Sequence, residues 1–300
     1  MNRLLLIPHI KIHNANALSS PFTIGFPAIT AWLGFAHALQ RKLNQQGFNS
    51  LNFYATGIVS HQCDLQTFKG PGDFVNSIVG TANPLDKEGK RTAFIEEARC
   101  HLEVSLVIAY HSEDEKELRR FEQDAFIKTL SSLLLTMKIA GGDILKVEEP
   151  ETFVLSQDDP NEEHQILRRL MPGYGLLERR DLMKSAMDEG KDALDALLDF
   201  LLVSHQCEKQ ENGGIEWKTQ RKTSGWIVPI ATGFHGISAL AKAKNQRDLD
   251  VPHRFAESVV TLGEFVMAHR LNSIWDMLWA YSYDPEKNLY LCQQDNEYSI

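Results

Sequence analysis

The tripeptide His-Gln-Cys occurs twice, at residues 61–63 and 205–207. Four such side chains make a nominal zinc set. His-x-Cys is not a spacing that zinc sites use, and the two copies fall in different regions, so coincidence is the expected reading. No metal or other cofactor is implied. His13 and His37 have the chemistry for acid and base roles in metal-free RNA cleavage, although isolated histidines more often pack or hydrogen-bond. Carboxylates abound, but no Asp/Glu/His set has the compact spacing of a two-metal nuclease, and no nucleophile elbow is present. Ala140-Gly141-Gly142-Asp143 lacks the Lys-Ser/Thr that completes a phosphate loop. Its glycine pair reads first as a helix stop, with Lys138 in the last turn. It would also let the chain approach a nucleic-acid backbone closely.

Binding chemistry is better represented than catalytic chemistry. Asn14, Asn16, Ser19, Ser20 and Thr23 crowd the loop ahead of a helix N-terminus, where amides, hydroxyls and free N–H groups suit phosphate oxygens. The competing reading is that these side chains cap their own backbone. Trp226 and Phe234, with His235, Lys218, Arg221 and Lys222 nearby, are candidates for stacking on unpaired bases. The strand at 102–110 lacks the Gly-Phe/Tyr-x-Phe run of an RNA-recognition motif, so a sheet-face aromatic platform is not expected.

The charge distribution sharpens this. The 300 residues carry a net charge of −9, which argues against a generic nucleic-acid binder. Yet residues 1–63 contain no Asp or Glu and carry Arg3, Lys11, Arg41 and Lys42, leaving 27 basic against 40 acidic residues in the remainder. Such a chain can offer one end to a polyanion while the rest stays soluble. Arg41, on the polar face of its helix, joins the candidates. Four scattered cysteines imply free thiols. The N-terminal apolar run is too short for a signal peptide, no run approaches the ~20 residues that span a bilayer, and a cytoplasmic location is expected.

The elements that must position these residues read as follows. A first strand fits 4–12. Ile29, Trp32, Leu33, Ala36, Leu39 and Leu43 mark an amphipathic helix that opens after Pro27 and ends at Gly47. Strands fit 56–68 and 102–110, separated by a Gly-, Asn- and Pro-rich excursion at about 69–95. Ser112 with Glu115 forms a capping-box pattern that opens one helix running to Met137, and residues 144–155 supply a fourth strand. This β-α-β-β-α-β order predicts an α+β, ferredoxin-like palm over residues 1–155 with an inserted thumb. Residues 156–300 read as a mainly helical region, with helices at 192–203, 253–269 and 271–281 and a short strand near 225–232.

The residues also resemble a known family. The segments Leu4-Leu5-Leu6-Ile7-Pro8, Asn14-Ala15-Asn16-Ala17 leading to Ser19-Ser20-Pro21, and Gly25-Phe26-Pro27 carry the resemblance at the N-terminus. Glu96 to Leu106, Ala140-Gly141-Gly142, Leu170-Met171-Pro172-Gly173 and Gly225-Trp226-Ile227-Val228-Pro229 continue it in order. Together they resemble the second-subunit family of type I-F CRISPR surveillance (Csy) complexes, a Cas-five-type branch of the RAMP proteins. The resemblance implies a palm with a thumb and a non-catalytic subunit that binds the 5′ handle of the CRISPR RNA. It implies as partners the large subunit, the first backbone subunit and, through the large subunit, the target DNA duplex; no membrane is involved. Placement of the thumb adds Lys90 and Arg91 as candidate RNA contacts. The alternative within the same superfamily is a metal-independent RNA-processing nuclease.

Overall fold

The computed structural model describes residues 2–81, 85–90, 97–156, 160–209, 214–244, 246, 248 and 250–294. It is a mixed α+β fold in which strands predominate. The first half contains β1 (Asn2–Asn16), α1 (Ile29–Gln45), β2 (Asn52–Leu65), β3 (Glu97–His111), α2 (Glu115–Phe121) and α3 (Asp124–Leu134). Then follow β4 (Lys138–Ile139), β5 (Gly142–Lys146) and β6 (Glu151–Leu155). β3 pairs antiparallel with β1 on one side and β2 on the other. β5 and β6 share the outer edge of β1, taking its C-terminal and N-terminal halves respectively.

The anticipated helix at α1 forms, and it buries the anticipated stripe. Ile29, Trp32, Leu33, Ala36, Leu39 and Leu43, joined by Phe35, pack on one face of the sheet. The helix expected after Ser112 is shorter and broken. Its N-cap is Asp114, which accepts from the Lys116 N–H at 2.8 Å, and the chain leaves the helix at Glu122 and Gln123. Glu122 instead accepts from Arg3 Nε at 2.9 Å and from the Tyr110 hydroxyl at 3.0 Å.

The glycine pair does not stop a helix. Ala140 and Gly141, at φ +48° and +75°, form the two-residue turn between β4 and β5, the positive-φ geometry of a type I′ hairpin. A Cβ on Gly142 would lie 2.8 Å from the Ala15 backbone, so only glycine lets β5 approach β1 this closely.

The C-terminal half departs most from expectation. After α4 (Pro160–Arg169) come β7 (Tyr174–Glu178), α5 (Arg180–Asp188), α6 (Ala193–Leu201), β8 (Ser204–Lys209) and β9 (Ile215–Gln220). β10 (Trp226–Gly236), β11 (Ala256–Met267), β12 (Leu278–Asp284) and β13 (Leu289–Gln293) complete the described elements. The helix expected at 253–269 is strand β11. Its Val259-Val260-Thr261 run favours an extended chain, and Gly263 disfavours a helix by about 1 kcal/mol relative to Ala. A short apolar run satisfies helix and strand periodicities alike. The helix expected at 271–281 is a single 3-10 turn at Ile274–Met277, held by a Ser273–Asp276 capping box, followed by β12.

These strands complete the same sheet. β7 and β12 both pair with the free edge of β2, and the pairings β2–β7–β11–β10–β13–β12–β2 close a ring of six antiparallel strands. Ile230, Leu176, Trp279 and Cys292 from the ring join the core beneath α1. No helix among the described residues is long and apolar enough to cross a membrane.

The Glu122 junction generates a test. Glu122→Ala leaves the part-buried Arg3 and Tyr110 donors unmatched and should lower unfolding stability by about 1–3 kcal/mol. The check is a lower urea midpoint with an unchanged m-value.

Candidate functional site

The two faces of the central sheet have different fates. One is sealed throughout by α1 to α3. On the other, Leu4, Leu6, Val59, Val107 and Ala109 are covered by Ile166, Leu167 and Leu170 of the α4 region and by Ala268, Leu271, Ile274 and Met277. That cover ends at Ser105. Beyond it the same face is polar: His9, Lys11 and His13 on β1, Arg99, His101 and Glu103 on β3, and His61 on β2.

Two strand irregularities aim these side chains. The β1–β3 register shifts between Ile7 and Ile10 and again between Ile12 and Ala15, and His9 and Asn14 sit at these points with φ of +44° and +60°. A left-handed non-glycine residue costs about 1–2 kcal/mol, so the surrounding bonds must hold both. The His9 N–H donates to Ser105 Oγ at 3.0 Å, and its Nδ1 lies 2.8 Å from Glu103 Oε1. Asn14 donates its N–H to His101 Nδ1 at 3.2 Å and accepts from Gln66 Nε2 at 3.0 Å. The four histidines stack in two pairs, His9 on His61 at 4.2 Å and His13 on His101 at 4.5 Å between ring centroids.

The hydrogen bonds assign the His61 tautomer. Nδ1 lies 2.7 Å from the Pro172 carbonyl, which can only accept, so Nδ1 carries the proton. Nε2 then accepts from the Ser105 hydroxyl at 2.7 Å. Burial pulls the His61 pKa below the usual imidazole value, and the bond to Pro172 offsets part of that pull. Burial alone would raise the Glu103 carboxyl, but hydrogen bonds from His9 and Lys11 outweigh it and hold the group below the ordinary carboxylate range.

The positive charge on this face is mostly matched. Lys11 reaches Glu103 at 3.4 Å, Arg99 pairs with Glu97 at 2.6 Å, and Lys138 pairs with Asp143. Lys146 is exposed, and it stands opposite Lys11 in the β1–β5 register. Like charges placed directly across adjacent strands repel.

The structure gathers some of the anticipated residues here. The Asn14 carbonyl accepts from Arg99, which also underlies Gly141. The Asn16 N–H donates to the Ala140 carbonyl at 2.9 Å, so Asn14, Asn16, Lys138, Gly141 and Gly142 converge where the β4–β5 hairpin meets the end of β1. Ser19 and Ser20 lie in the following hairpin, where both hydroxyls are within 2.8 Å of Thr23 Oγ1. Asn16 accepts from the Leu18 N–H. For these three side chains the local backbone-capping reading holds.

Other candidates lie apart. Arg41 is exposed on α1, behind the sheet. Trp226 opens β10 beside the β1–α1 loop, whereas Phe234 and His235 lie eight or nine residues on, about 26 Å along an extended chain, with His235 against Glu257 at 3.1 Å. Lys90 closes the Asp86–Lys90 turn of the excursion, and Arg91 lies outside the described residues. His13 and His37 stand on opposite sides of the sheet. His61 and His205 likewise occupy separate sheets, and His205 bonds Thr219 of its own hairpin. Among the described residues, no three His, Cys, Asp or Glu side chains are placed to hold a metal ion.

Sequence reasoning missed His9, Arg99, His101 and Ser105, and weighed His61 only as a nominal zinc ligand. A signal was present. His9-x-Lys11-x-His13 alternates with Ile10 and Ile12, and Arg99-x-His101-x-Glu103-x-Ser105 alternates with Cys100, Leu102 and Val104, the period of strands with one wet face.

The sheet therefore presents one open, polar half-face, and comparison with known proteins names a CRISPR-associated protein. The family model described as "CRISPR-associated protein (Cas_Csy2)" matches residues 5–292, and the chain belongs to that family. It is 32% identical, over 96% of its length and 94% of the relative's, to the CRISPR-associated protein Csy2 of Pseudomonas aeruginosa strain UCBPP-PA14.

The His61 chain has a pH signature. A histidine whose pKa is depressed on folding is protonated first in the unfolded chain, so stability falls as pH drops below the ordinary value of 6.5 until native His61 also titrates. Glu103, depressed within the carboxylate range, contributes only at lower pH. Between about pH 7.5 and about pH 5.5, the fall in urea midpoint should be smaller in His61→Gln than in the wild type.

Proposed function

We propose that this chain is a non-catalytic, RNA-binding subunit of a type I-F CRISPR surveillance (Csy) complex and that it holds the 5′ handle of the CRISPR RNA. Family membership supports the assembly. The observation that carries the RNA reading is the uncovered polar half of the sheet, with Lys11 and Lys146 opposed in register. A polyanion laid along this edge would meet Lys146, which has no carboxylate partner among the described residues, and would compete with Glu103 for Lys11.

The pairing order β5/β6–β1–β3–β2 is fourth, first, third, second in terms of the palm strands, and all contacts are antiparallel. With helices after the first and third strands, it supports a ferredoxin-like palm. The excursion between β2 and β3 is the thumb of that reading. It carries exposed Phe68, Phe74 and Val75 at a hairpin and Lys90 at a turn, chemistry for contact with a neighbouring subunit and a guide nucleotide. The acidic, exposed C-terminal elements face the large subunit, through which target DNA is engaged, and the first backbone subunit adjoins the thumb. The complex acts in the cytoplasm. The separation of His13 from His37 supports holding over cutting.

Lys11→Glu with Lys146→Glu in the assembled complex should weaken handle binding by more than about tenfold at low salt and reduce the slope of log affinity against log salt by about 2. Precursor RNA should remain uncut by wild type and variant alike. Unchanged affinity would remove the palm from the interface.

A further inference from the structure

A second cleft adjoins the histidine face. It has a volume of about 270 Å³ and opens between the β1–α1 loop (Ile24, Gly25, Phe26), the end of β2 (Ser60 to Cys63) and the ring strands, which contribute Tyr174, Trp226 and Phe265. Gln62 lines both this cleft and the polar groove along Lys11, His13 and His101, so the two adjoin; the groove also carries Asp64 and Glu103, and Gln62 Nε2 donates to Asp64.

The walls are aromatic and fixed. Trp226 meets Tyr174 edge-on at 5.4 Å and Phe265 at 5.2 Å, and Phe265 meets Phe26 edge-on at 5.3 Å. Phe26 in turn stacks on the core residue Trp32. This line of rings runs from the core to the surface, and Trp226 ends it 53% exposed. An indole anchored on one side and bare on the other is a ready stacking surface.

The cleft also contains hydroxyls that are open to it. Ser60 is only 8% exposed, and its hydroxyl has no hydrogen-bond partner among the described residues. The Tyr174 hydroxyl is likewise unpartnered among the described residues. The cleft therefore combines apolar aromatic walls with hydroxyls able to donate and accept. Its volume is just below the roughly 300–1,000 Å³ of typical small-ligand pockets, which suits one ring system and excludes a stack of them.

From this geometry we infer that the cleft receives a single unstacked nucleobase of the bound RNA, packed against Trp226 and Tyr174 and read at its edge by the Ser60 hydroxyl and the Gln62 carboxamide, while the flanking phosphates lie along the Lys11–His13–His101 groove. The inference rests on the RNA-holding reading and adds to it one base-specific contact.

The test walks an abasic site through the handle RNA, one position at a time, with binding measured on the assembled complex at fixed salt. One position should be sensitive, losing about five- to 150-fold, the range of one base–aromatic stack. Trp226→Ala should lose a similar factor on intact RNA and become indifferent to that position, so the two losses do not multiply. Trp226→Phe should retain most of the affinity. Ser60→Ala, too small a change to threaten folding, should alter base preference at that position alone. A flat abasic walk, or a Trp226→Ala loss that multiplies with every abasic site, overturns the pocket. So does a Trp226→Ala defect confined to recovery of a protein partner, which would make the cleft a seat for a side chain. If the Lys11→Glu, Lys146→Glu variant still loses affinity in those cases, the RNA-holding reading survives without the pocket. If that variant binds normally, the broader reading fails on its own.

Discussion

Ser105 sits fully buried on the middle strand of the sheet, and its hydroxyl joins the backbone of His9 on one neighbour to the ring of His61 on the other. On one side of it lie Val107 and Ala109, under helix α4 and the 3-10 turn at Ile274–Met277. On the other lie Glu103, His101 and Arg99, in the open. A residue at the junction of an apolar and a polar stretch of a sheet face meets both surroundings. A small hydroxyl with a donor and an acceptor on hand suits both. Ser105 thus marks where the cover ends, and with it which part of the β1–β3–β2 sheet is left open.

The consequence for local structure is strain kept in a small area. His9 and Asn14 occupy left-handed backbone conformations at the two register shifts of β1. Each is secured by bonds to β3, and Asn14 by a further bond to Gln66. Bulges at such places re-aim side chains. Here they turn two histidine pairs onto one surface and bring the Gly141–Gly142 hairpin against the end of β1. The Gly142 contact with Ala15 leaves no room for any other residue, so that approach is a property of the backbone and not of a side chain that could relax.

Several elements of the first half were legible in advance because they carry strong local signals. The α1 stripe repeats at helical spacing, and β3 is a run of Val, Leu and Ile. The C-terminal strands were not legible, for a physical reason. β11 alternates only weakly, since it lies in a closed ring where burial is partial on both faces. Its identity is set by pairing with β7 and β10, strands respectively about 80 and 30 residues earlier in the chain, and periodicity does not report long-range pairing. The site divides in the same way. Asn14, Gly141 and Trp226 are residue types that advertise themselves. His9 and His101 belong to the site only because two strands lie side by side, although the alternation within each strand was there to be read. Asn16, Ser19 and Ser20 also make hydrogen bonds within the turn that contains them, which their residue types alone do not reveal.

The overall charge of −9 bears on the proposed role through this pairing. Lys11, Arg99 and Lys138 each already hold a carboxylate, so RNA would have to displace internal partners to reach them. That arrangement weakens general attraction to nucleic acid, because exposed ion pairs present little net field beyond a Debye length. It leaves short-range features to decide what binds: the Lys11–Lys146 opposition, the stacked imidazoles and the aromatic cleft. A subunit built this way gains little from polyanions at large. It holds one well-placed segment when neighbouring subunits share the work of neutralising the strand, which is how an acidic chain can serve as an RNA-holding part of a larger assembly.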